Sequence, residues 1–345
     1  MTTPEPYRHR VPLPSGAEPR VAVGDEVRPG DVLASTVRPA GSISVRVARP
    51  LRRKRDEAAE LLLVAPGERV RANQPLGRTP ERDVRASGDA LFLAYRPSDD
   101  AALLLPLEPA EPIRADVHGI VMEASARSIT IAVSAVPLVG VGGTGPAVHG
   151  PLSVLVGDPE APLDPAVLDA DSAGRIVVGG SWASAEAITR ARAVGVAAIV
   201  VGGLHARELA EFAGLQHRRS LLGTAAPPFA VLALDGYGRA GMDPARFAWL
   251  MAHADHEATV FGDRRRLLIH AASPAPERVP RAAVGDRVVI LAGPGRGQAG
   301  LLSDVPAEPL VIGSGVSTLC GMVRLDFGRT VAVPLANLEA SIPLA

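Results

Sequence analysis

Two segments that lie 43 residues apart share one residue pattern, and this repeat is the strongest constraint on how the chain folds. Residues 23–36 align with residues 66–79, and glycine, an acidic residue, valine, arginine, leucine and threonine recur at matching places. Glycine supplies the geometry of a tight turn, while valine and leucine supply a buried face. The repeat therefore predicts two short strands around a turn in each copy.

The motif that contains Gly24, Gly30 and Leu33 (V-G-D-E-V-R-P-G-D-V-L) resembles the hammerhead of biotinyl- and lipoyl-type barrel-sandwich hybrids. In carriers of that family a lysine at a hairpin tip holds the cofactor. The only lysine of this chain is Lys54, which lies between the two copies and outside both. The resemblance therefore implies structural β-modules without a swinging arm, and no cofactor is predicted.

Composition supports a β-rich chain of several domains. The 345 residues include 35 glycines and 32 prolines, so turns are frequent and long helices are few. The net charge of -1 provides no global field for nucleic acid or an anionic membrane, and the 3% aromatic content provides few rings for base stacking. These values favour a protein partner over a nucleic acid.

A single cysteine, Cys320, excludes an internal disulfide framework and a thiolate zinc site supplied by this chain alone. The first residues lack the apolar core of a signal peptide, and no stretch reaches the roughly 18 apolar residues of a membrane span. We expect a soluble, cytoplasmic protein with no membrane contact.

Between the two repeat copies, residues 46–55 hold six basic side chains. A run of this kind is typical of a solvated loop or edge strand. The alternative is a contact surface for nucleic acid or another partner, formed by Arg52, Arg53, Lys54 and Arg55. Residues 113–121 and 128–133 predict two further strands, and the first resembles the return strand of a barrel-sandwich hybrid. We assign residues 11–136 to this β region.

The glycine-rich stretch 140–146 has no Lys-Ser or Lys-Thr pair and precedes a proline rather than a helix pattern. It therefore predicts a flexible linker rather than a phosphate-binding loop. Together with the stretch 158–171, which is rich in proline and aspartate, it places a linker at residues 137–172.

Residues 173–272 predict an α/β domain because strand and helix patterns alternate there. Apolar runs predict strands at 175–180, 196–203 and 228–236. Helices are predicted at 184–194, at 207–212 and after Asp243-Pro244, an N-cap acid followed by proline. The segment resembles a protease-associated domain, which implies a recognition module without catalytic groups.

Three of the predicted strands end in glycine or aspartate, and parallel strands would bring these ends to one sheet edge. The edge is a candidate ligand site because a helix N-terminus can hold an anion and a carboxylate can accept hydrogen bonds. The alternative is that the glycines only permit tight turns. The candidate residues are Gly179, Gly180, Ser181, Gly202, Gly203, Asp235 and Gly236.

The sequence His253-Ala254-Asp255-His256-Glu257 is the remaining set of metal-binding residue types. Its spacing matches neither His-Glu-x-x-His nor a longer His-x-His-x-Asp-His run, and no nucleophile elbow is present. We therefore predict neither a metal site nor catalytic residues, and the sequence provides no positive evidence for an enzyme.

The C-terminal residues 280–341 alternate valine and leucine around a glycine-rich turn that carries Arg296. This pattern resembles a KOW-type SH3-like barrel of the kind found in NusG-class elongation factors and some ribosomal proteins. Residues 303–321 form a longer connection than that family uses. Arginines balance acids in this region, which favours docking on protein over RNA binding by counterion release.

The predicted architecture is multidomain α+β: a β-rich barrel-sandwich N-terminal region, a central α/β domain and a C-terminal SH3-like β-barrel. The function that fits it is a non-catalytic binding or scaffold protein. One alternative is a transcription or translation factor that contacts RNA or a ribonucleoprotein through Arg52, Arg53, Lys54, Arg55 and Arg296. A second is a hydrolase that uses Asp235 or the His253 cluster.

Overall fold

The repeated segments fold alike, and the cause is the chemistry of their turns. The structure is a computed structural model that describes residues 6–205, 207–208, 228–270, 273–276, 282–313 and 315–340. In the first copy Asp25 Oδ2 accepts a hydrogen bond from the backbone of Ala22 at 2.8 Å, and in the second Glu68 Oε2 accepts one from Ala65 at 2.9 Å. Both copies form the predicted strand, turn and strand.

The second turn of the repeat shows why one glycine is replaceable. Gly30 has φ 96°, and the matching Asn73 has φ 66°, so both adopt left-handed backbone. Asparagine tolerates this region better than most residues. The apolar members of both copies are buried, with Val27, Leu33, Val70 and Leu76 at most 2% exposed.

All of residues 6–133 are described, and they form twelve strands and two α-helices. The strands are β1 Tyr7–Pro12, β2 Glu18–Pro19, β3 Glu26–Val27, β4 Val32–Pro39, β5 Ile43–Val45, β6 Arg69–Val70, β7 Pro75–Arg78, β8 Asp83–Arg85, β9 Ala90–Arg96, β10 Ala101–Arg114, β11 Gly119–Ala124 and β12 Ser128–Val133. The helices are α1 Ala48–Leu51 and α2 Arg55–Glu60. The sheet orders are β1-β12-β11-β3, β2-β4-β10-β9-β6 with β5 also paired to β10, and β7-β8.

The chain divides into two compact units. The N-terminal unit comprises His9–Ala115 and Ile120–Ile131, and the C-terminal unit comprises the described parts of Met1–Arg8, Asp116–Gly119 and Ala132–Ala345. The molecule is β-rich, as predicted, with several sheets, one of them a half-barrel. Within the described ranges, no helix combines the length and apolar character that crossing a bilayer requires.

The basic run at residues 46–55 forms α1, an exposed turn and the start of α2. The prediction of a solvated loop or edge strand is therefore correct for the turn at 52–54 and wrong for residues 48–51, which are helical. The reason is a carboxylate about 50 residues away in the sequence. Asp100 is 6% exposed, and its side chain accepts hydrogen bonds from the backbone of Val47, Ala48 and Arg49 at 2.7–3.1 Å. These bonds satisfy the free N–H groups at the start of α1.

The Asp100 carboxyl also accepts a hydrogen bond from the Tyr95 hydroxyl at 3.0 Å. Burial opposes ionisation of Asp100, but the backbone hydrogen bonds and the Tyr95 bond outweigh it, and the pKa lies below its ordinary value of 3.8. Burial and the hydrogen bond to Asp100 raise the pKa of Tyr95 to about 12. At neutral pH the pair is therefore a carboxylate and a phenol.

Replacing Asp100 with asparagine is expected to lower the free energy of unfolding by about 1–2 kcal/mol, because one amide oxygen cannot replace both carboxylate oxygens. Asparagine keeps the left-handed backbone of this position, where φ is 52°. Amide hydrogen exchange at Val47, Ala48 and Arg49 should become faster, which would locate the loss of stability at the start of α1.

The same substitution has a defined pH dependence. Because the pKa of Asp100 is lowered in the folded chain, its stabilisation is complete above pH 3.8 and is lost as the pH falls through the folded value. The difference in stability between the native chain and Asp100→Asn should therefore narrow below pH 3.8. The pKa of Tyr95 should also fall in the variant. A difference that widens on acidification would contradict the assignment.

The described residues of the C-terminal unit include a mixed sheet and two α-helices. The strands are β13 Val136–Val139, β14 Gly142–Thr144, β15 Ala147–Val154, β16 Ile176–Val178, β17 Ala198–Leu204, β18 Ala230–Tyr237, β19 Glu257–Phe261 and β20 Arg266–Ile269. The helices are α3 Ala185–Val194, between β16 and β17, and α4 Pro244–Ala252, after β18. The sheet order is β13-β20-β19-β15-β16-β17-β18-β14, with β15 to β18 parallel.

Local sequence signals account for both helices. Ser184 caps α3 by accepting a hydrogen bond from Ala187, and Gly195 ends it with φ 89°. Asp243 caps α4 in the same way through Arg246. The predicted strands at 175–180, 196–203 and 228–236 and the predicted helices at 184–194 and after Asp243 are thus confirmed. Most of the helix predicted at 207–212 lies outside the described residues, as does part of the boundary predicted near 272–280.

The linker predicted at residues 137–172 is wrong for its first half, because β13, β14 and β15 are members of the sheet. Gly142 and Gly143 pair with Ala233 and Leu232 of β18. A Cβ atom at Gly143 would lie 2.6 Å from the carbonyl oxygen of Gly262. Glycine here permits close packing of backbones rather than flexibility.

The remaining strands of this unit form a small antiparallel sheet with the order β26-β25-β22-β21-β27 and a separate hairpin, β23-β24. They are β21 Arg287–Ile290, β22 Ala299–Asp304, β23 Leu310–Val311, β24 Ser317–Thr318, β25 Cys320–Leu325, β26 Thr330–Pro334 and β27 Leu338–Ala340. Val288, Ile290, Leu302 and Val323 are buried in its core. The long connection at 303–321 thus contains its own hairpin.

Candidate functional site

The candidate residues at the ends of the parallel strands lie at one sheet edge, as the sequence predicts, because β16, β17 and β18 are parallel neighbours. The chain itself covers this edge. A Cβ atom at Gly180 would lie 2.3 Å from the carbonyl oxygen of Asp158, and one at Gly202 would lie 2.4 Å from the nitrogen of Met242. A Cβ atom at Gly203 would likewise collide with neighbouring backbone. Gly179 and Ser181 are buried. These glycines therefore admit neighbouring loops of the protein.

Asp235, near the end of β18, differs from the covered glycines because it forms a buried ion pair with Arg246. Its Oδ1 lies 2.9 Å from Nη1 of Arg246, and its Oδ2 accepts a hydrogen bond from the backbone of Asp243 at 3.0 Å. Arg246 is only 3% exposed. A buried charge of this kind is retained where a partner neutralises it.

Arg246 is the main residue of this site that the sequence reasoning missed. The available signal was an arginine in the first turn of a predicted apolar helix. Its Nη1 also donates to the carbonyl oxygen of Leu234 at 3.3 Å. Its Nε is buried and has no hydrogen-bond partner among the described residues.

A cavity of about 310 Å³ lies next to this pair, and we name it the Arg246 cavity. Its apolar wall comes from the small antiparallel sheet and the turn before β27: Val289, Ile290, Leu291, Leu335 and Leu338. Its charged lining residues are Glu160, Asp235, Asp243, Arg246, Arg296 and Glu339. Ligand pockets commonly combine such apolar walls with a few placed polar groups.

Arg296, the predicted contact at the tip of the glycine-rich turn, lines the same cavity. Its guanidinium donates a hydrogen bond to the carboxylate of Glu160. The tip arginine is therefore half-exposed and paired rather than free. The structure thus brings Arg296 and Asp235, predicted for different reasons, to one cavity.

The other predicted contact residues belong to the N-terminal unit. Arg52, Arg53 and Lys54 are exposed around the turn between α1 and α2. Arg55 is also exposed, and its guanidinium donates to the carbonyl oxygen of Ser98.

Asn337 fixes the geometry of the Arg246 cavity by joining the small sheet to β18. Its Oδ1 accepts a hydrogen bond from the backbone of Tyr237 at 2.8 Å, and its Nδ2 donates to the carbonyl oxygens of Tyr237 at 3.0 Å and Ala292 at 3.2 Å. A Cβ atom at Gly236 would lie 2.7 Å from Oδ1 of Asn337. Gly236 therefore gives the amide its space, which is a packing role.

The His253 cluster separates into different contacts. His253 Nδ1 lies 2.7 Å from the carbonyl oxygen of Trp249, and its Nε2 lies 2.9 Å from Oγ of Ser273. Asp255 pairs with Arg175 at 2.7 Å. Within the part of the chain that the structure describes, no group of three or more histidine, cysteine, aspartate or glutamate residues has the geometry of a metal site. His253 instead hydrogen-bonds to the carbonyl oxygen of Trp249 near the end of α4, as basic side chains often do at a helix C-terminus.

No family model matches this chain, and no curated protein matches it. The resemblances to hammerhead, protease-associated and KOW modules therefore stay predictions that depend on the residues quoted for them. The Arg246 cavity, with its buried ion pair and apolar wall, is the feature of the described residues that is best suited to bind a ligand.

Proposed function

We propose that this chain is a binding protein that holds a small ligand, or a side chain of a protein partner, in the Arg246 cavity. The observation that carries the proposal is the cavity itself, where the buried Arg246–Asp235 pair faces an apolar wall. Its volume of about 310 Å³ lies at the small end of the range of ligand pockets. A single long side chain or a small molecule fits such a space.

The charges of the cavity favour binding over catalysis. Three of the four cavity carboxylates are engaged: Asp235 and Glu160 each pair with an arginine, and Asp243 caps α4. Only the Glu339 side chain lacks such a partner among the described residues. A general acid or base needs a group whose proton is free to move to the substrate. Paired groups instead fix the shape and the charge of a pocket.

The finer architecture is part of the same proposal. The duplicated strand and turn pattern, with buried Val27, Leu33, Val70 and Leu76, supports a barrel-sandwich hybrid in the N-terminal unit. The antiparallel order β26-β25-β22-β21-β27 supports a KOW-type SH3-like barrel at the C-terminus. Both are folds that present side chains to partners, which suits a scaffold.

The transcription or translation factor is the weaker proposal. Arg296 is bound to Glu160, so a phosphate would have to displace a carboxylate to reach it. Arg52, Arg53 and Lys54 would then supply the phosphate contacts from the N-terminal unit.

Filling the cavity should abolish binding. We expect Val289→Phe to weaken binding of any ligand of the Arg246 cavity by roughly tenfold or more, because the larger ring occupies ligand space. The matched control is Val311→Phe, the same enlargement at a side chain that is 75% exposed and does not line the cavity.

The probes are the N-acetyl methylamides of lysine, norleucine and glutamate, whose side chains are cationic, neutral and anionic. Saturation-transfer NMR detects their weak binding to the full chain. At least one probe should bind to the native chain and to Val311→Phe, and this binding should be lost in Val289→Phe. Failure of all three probes, or binding that survives Val289→Phe, would overturn the proposed function.

A further inference from the structure

The geometry points to a lysine or arginine residue of a partner peptide as the ligand of the Arg246 cavity. This inference deepens the proposed function and rests on it. It follows from three features of the lining: its unbalanced charge, the position of its apolar wall and the neutralisation of Arg246 by Asp235.

The first feature is an excess of negative charge. The lining contains four carboxylates and two guanidinium groups, so two negative charges lack a cation from the cavity. Asp235 and Glu160 are the paired acids. Asp243 accepts a backbone hydrogen bond as the N-cap of α4. The side chain of Glu339 forms neither an ion pair nor a hydrogen bond with another described residue, and its backbone pairs with Val289 in the sheet. A cation would be attracted here and an anion repelled.

The second feature is the position of the apolar wall relative to Glu339. Val289 of β21 is directly opposite Glu339 of β27 in the antiparallel pair. Residues opposite each other in such a pair carry their side chains on the same face of the sheet, and both of these line the cavity. An aliphatic stem can therefore pack on Val289 while its charged end reaches the Glu339 carboxylate. Lysine and arginine have this combination of stem and cation.

The third feature is the neutralised state of the buried arginine. Arg246 lines the cavity but is only 3% exposed, and its Nε is buried out of reach of a ligand. Its charge is balanced by Asp235, which lies 2.9 Å away. The Arg246 cation is therefore not available to an anionic ligand, whereas the carboxylates of Asp243 and Glu339 are available to a cationic one.

The lysine and arginine N-acetyl methylamides should therefore bind at least tenfold more tightly than the norleucine derivative, which has the stem without the charge. The glutamate derivative should bind most weakly. Pentylamine, which has the stem and the ammonium but no peptide groups, distinguishes a peptide residue from a free amine. It should bind several-fold more weakly than the lysine derivative, because it makes no contact beyond the side chain itself.

Two variants test the carboxylates. Asp243→Asn should weaken binding of the lysine derivative by roughly tenfold, and Glu339→Gln, at an exposed carboxylate, should weaken it several-fold. Both variants should narrow the preference for the lysine derivative over the norleucine derivative. Asparagine is as good an N-cap as aspartate, so α4 keeps its start. Glu308→Gln removes the same charge from an exposed residue outside the cavity and should change nothing.

The outcomes separate the inference from the proposed function. Equal or tighter binding of the norleucine or glutamate derivative, lost in Val289→Phe, would overturn the cationic ligand and leave the binding function standing. Pentylamine binding as tightly as the lysine derivative would overturn the peptide source. Preference for the lysine derivative that Glu339→Gln and Asp243→Asn both leave intact would also overturn the inference.

Discussion

Replacing Arg246 with methionine is expected to lower the free energy of unfolding of the C-terminal unit by about 3–5 kcal/mol. Methionine keeps much of the volume but removes the cation, so the Asp235 carboxylate loses its ion pair in a buried position. The two side chains are only 4% and 12% exposed, so water cannot compensate. Urea unfolding followed by tryptophan fluorescence measures this effect, because Trp182 and Trp249 both belong to this unit.

Two further variants show whether burial is the cause. Arg246→Met combined with Asp235→Leu removes both charges and should recover much of the lost stability, because apolar replacement of a whole buried pair is often neutral. Arg296→Met breaks the pair with Glu160, whose side chains are 54% and 53% exposed, and should cost at most about 1 kcal/mol. An additive or larger loss in the double variant would show that the pair is not the reason for the effect.

Prediction from sequence was most accurate where the cause is local. Asp25 and Glu68 bind backbone groups three residues away, so each copy of the repeat carries its own turn chemistry. Ser184 and Asp243 cap their helices through equally short contacts. The buried valine runs that became β16, β17 and β18 were also visible without any partner, because parallel strands are apolar on both faces.

Prediction was wrong where a distant residue decides the structure. The glycines at 140–146 have the composition of a linker, and their role depends on β18, some 90 residues further along the chain. The basic run at 46–55 lacks a strong helix signal of its own and depends on Asp100. Neither β18 nor Asp100 can be identified as the partner from the segment alone. The entropy of loop closure rises only slowly with loop length, so a partner distant in the sequence is nearly as accessible as a close one.

The site was predictable in part for the same reason. Asp235 and Arg296 were each identified from a local pattern, at a strand end and at a turn tip. Their common cavity depends on Arg246, Glu160 and Glu339, which come from separate elements. The glycines at the strand ends were correctly placed at one edge, but only the fold shows that neighbouring loops fill it.

Replacing Asn337 with alanine is expected to lower the free energy of unfolding by about 2–4 kcal/mol. The change leaves the backbone N–H and C=O of Tyr237 and the C=O of Ala292 without this partner in a buried position, and each such loss costs about 1–3 kcal/mol before water or local movement compensates. Asn337 is 2% exposed, so water has little access. Urea unfolding measures the loss, and a gain of exchange at the Tyr237 amide locates it.

Because Asn337 joins the small sheet to β18, the same variant should also weaken binding of the N-acetyl-lysine methylamide to the Arg246 cavity. Asn337→Asp keeps the size of the side chain but removes both donated hydrogen bonds and buries a charge, so at neutral pH it should destabilise at least as much as alanine. Gln298→Ala, at an exposed residue of the nearby turn, should stay within about 0.5 kcal/mol of the native chain. If Asn337→Ala retained native stability, the amide would not be what holds the two walls of the cavity together.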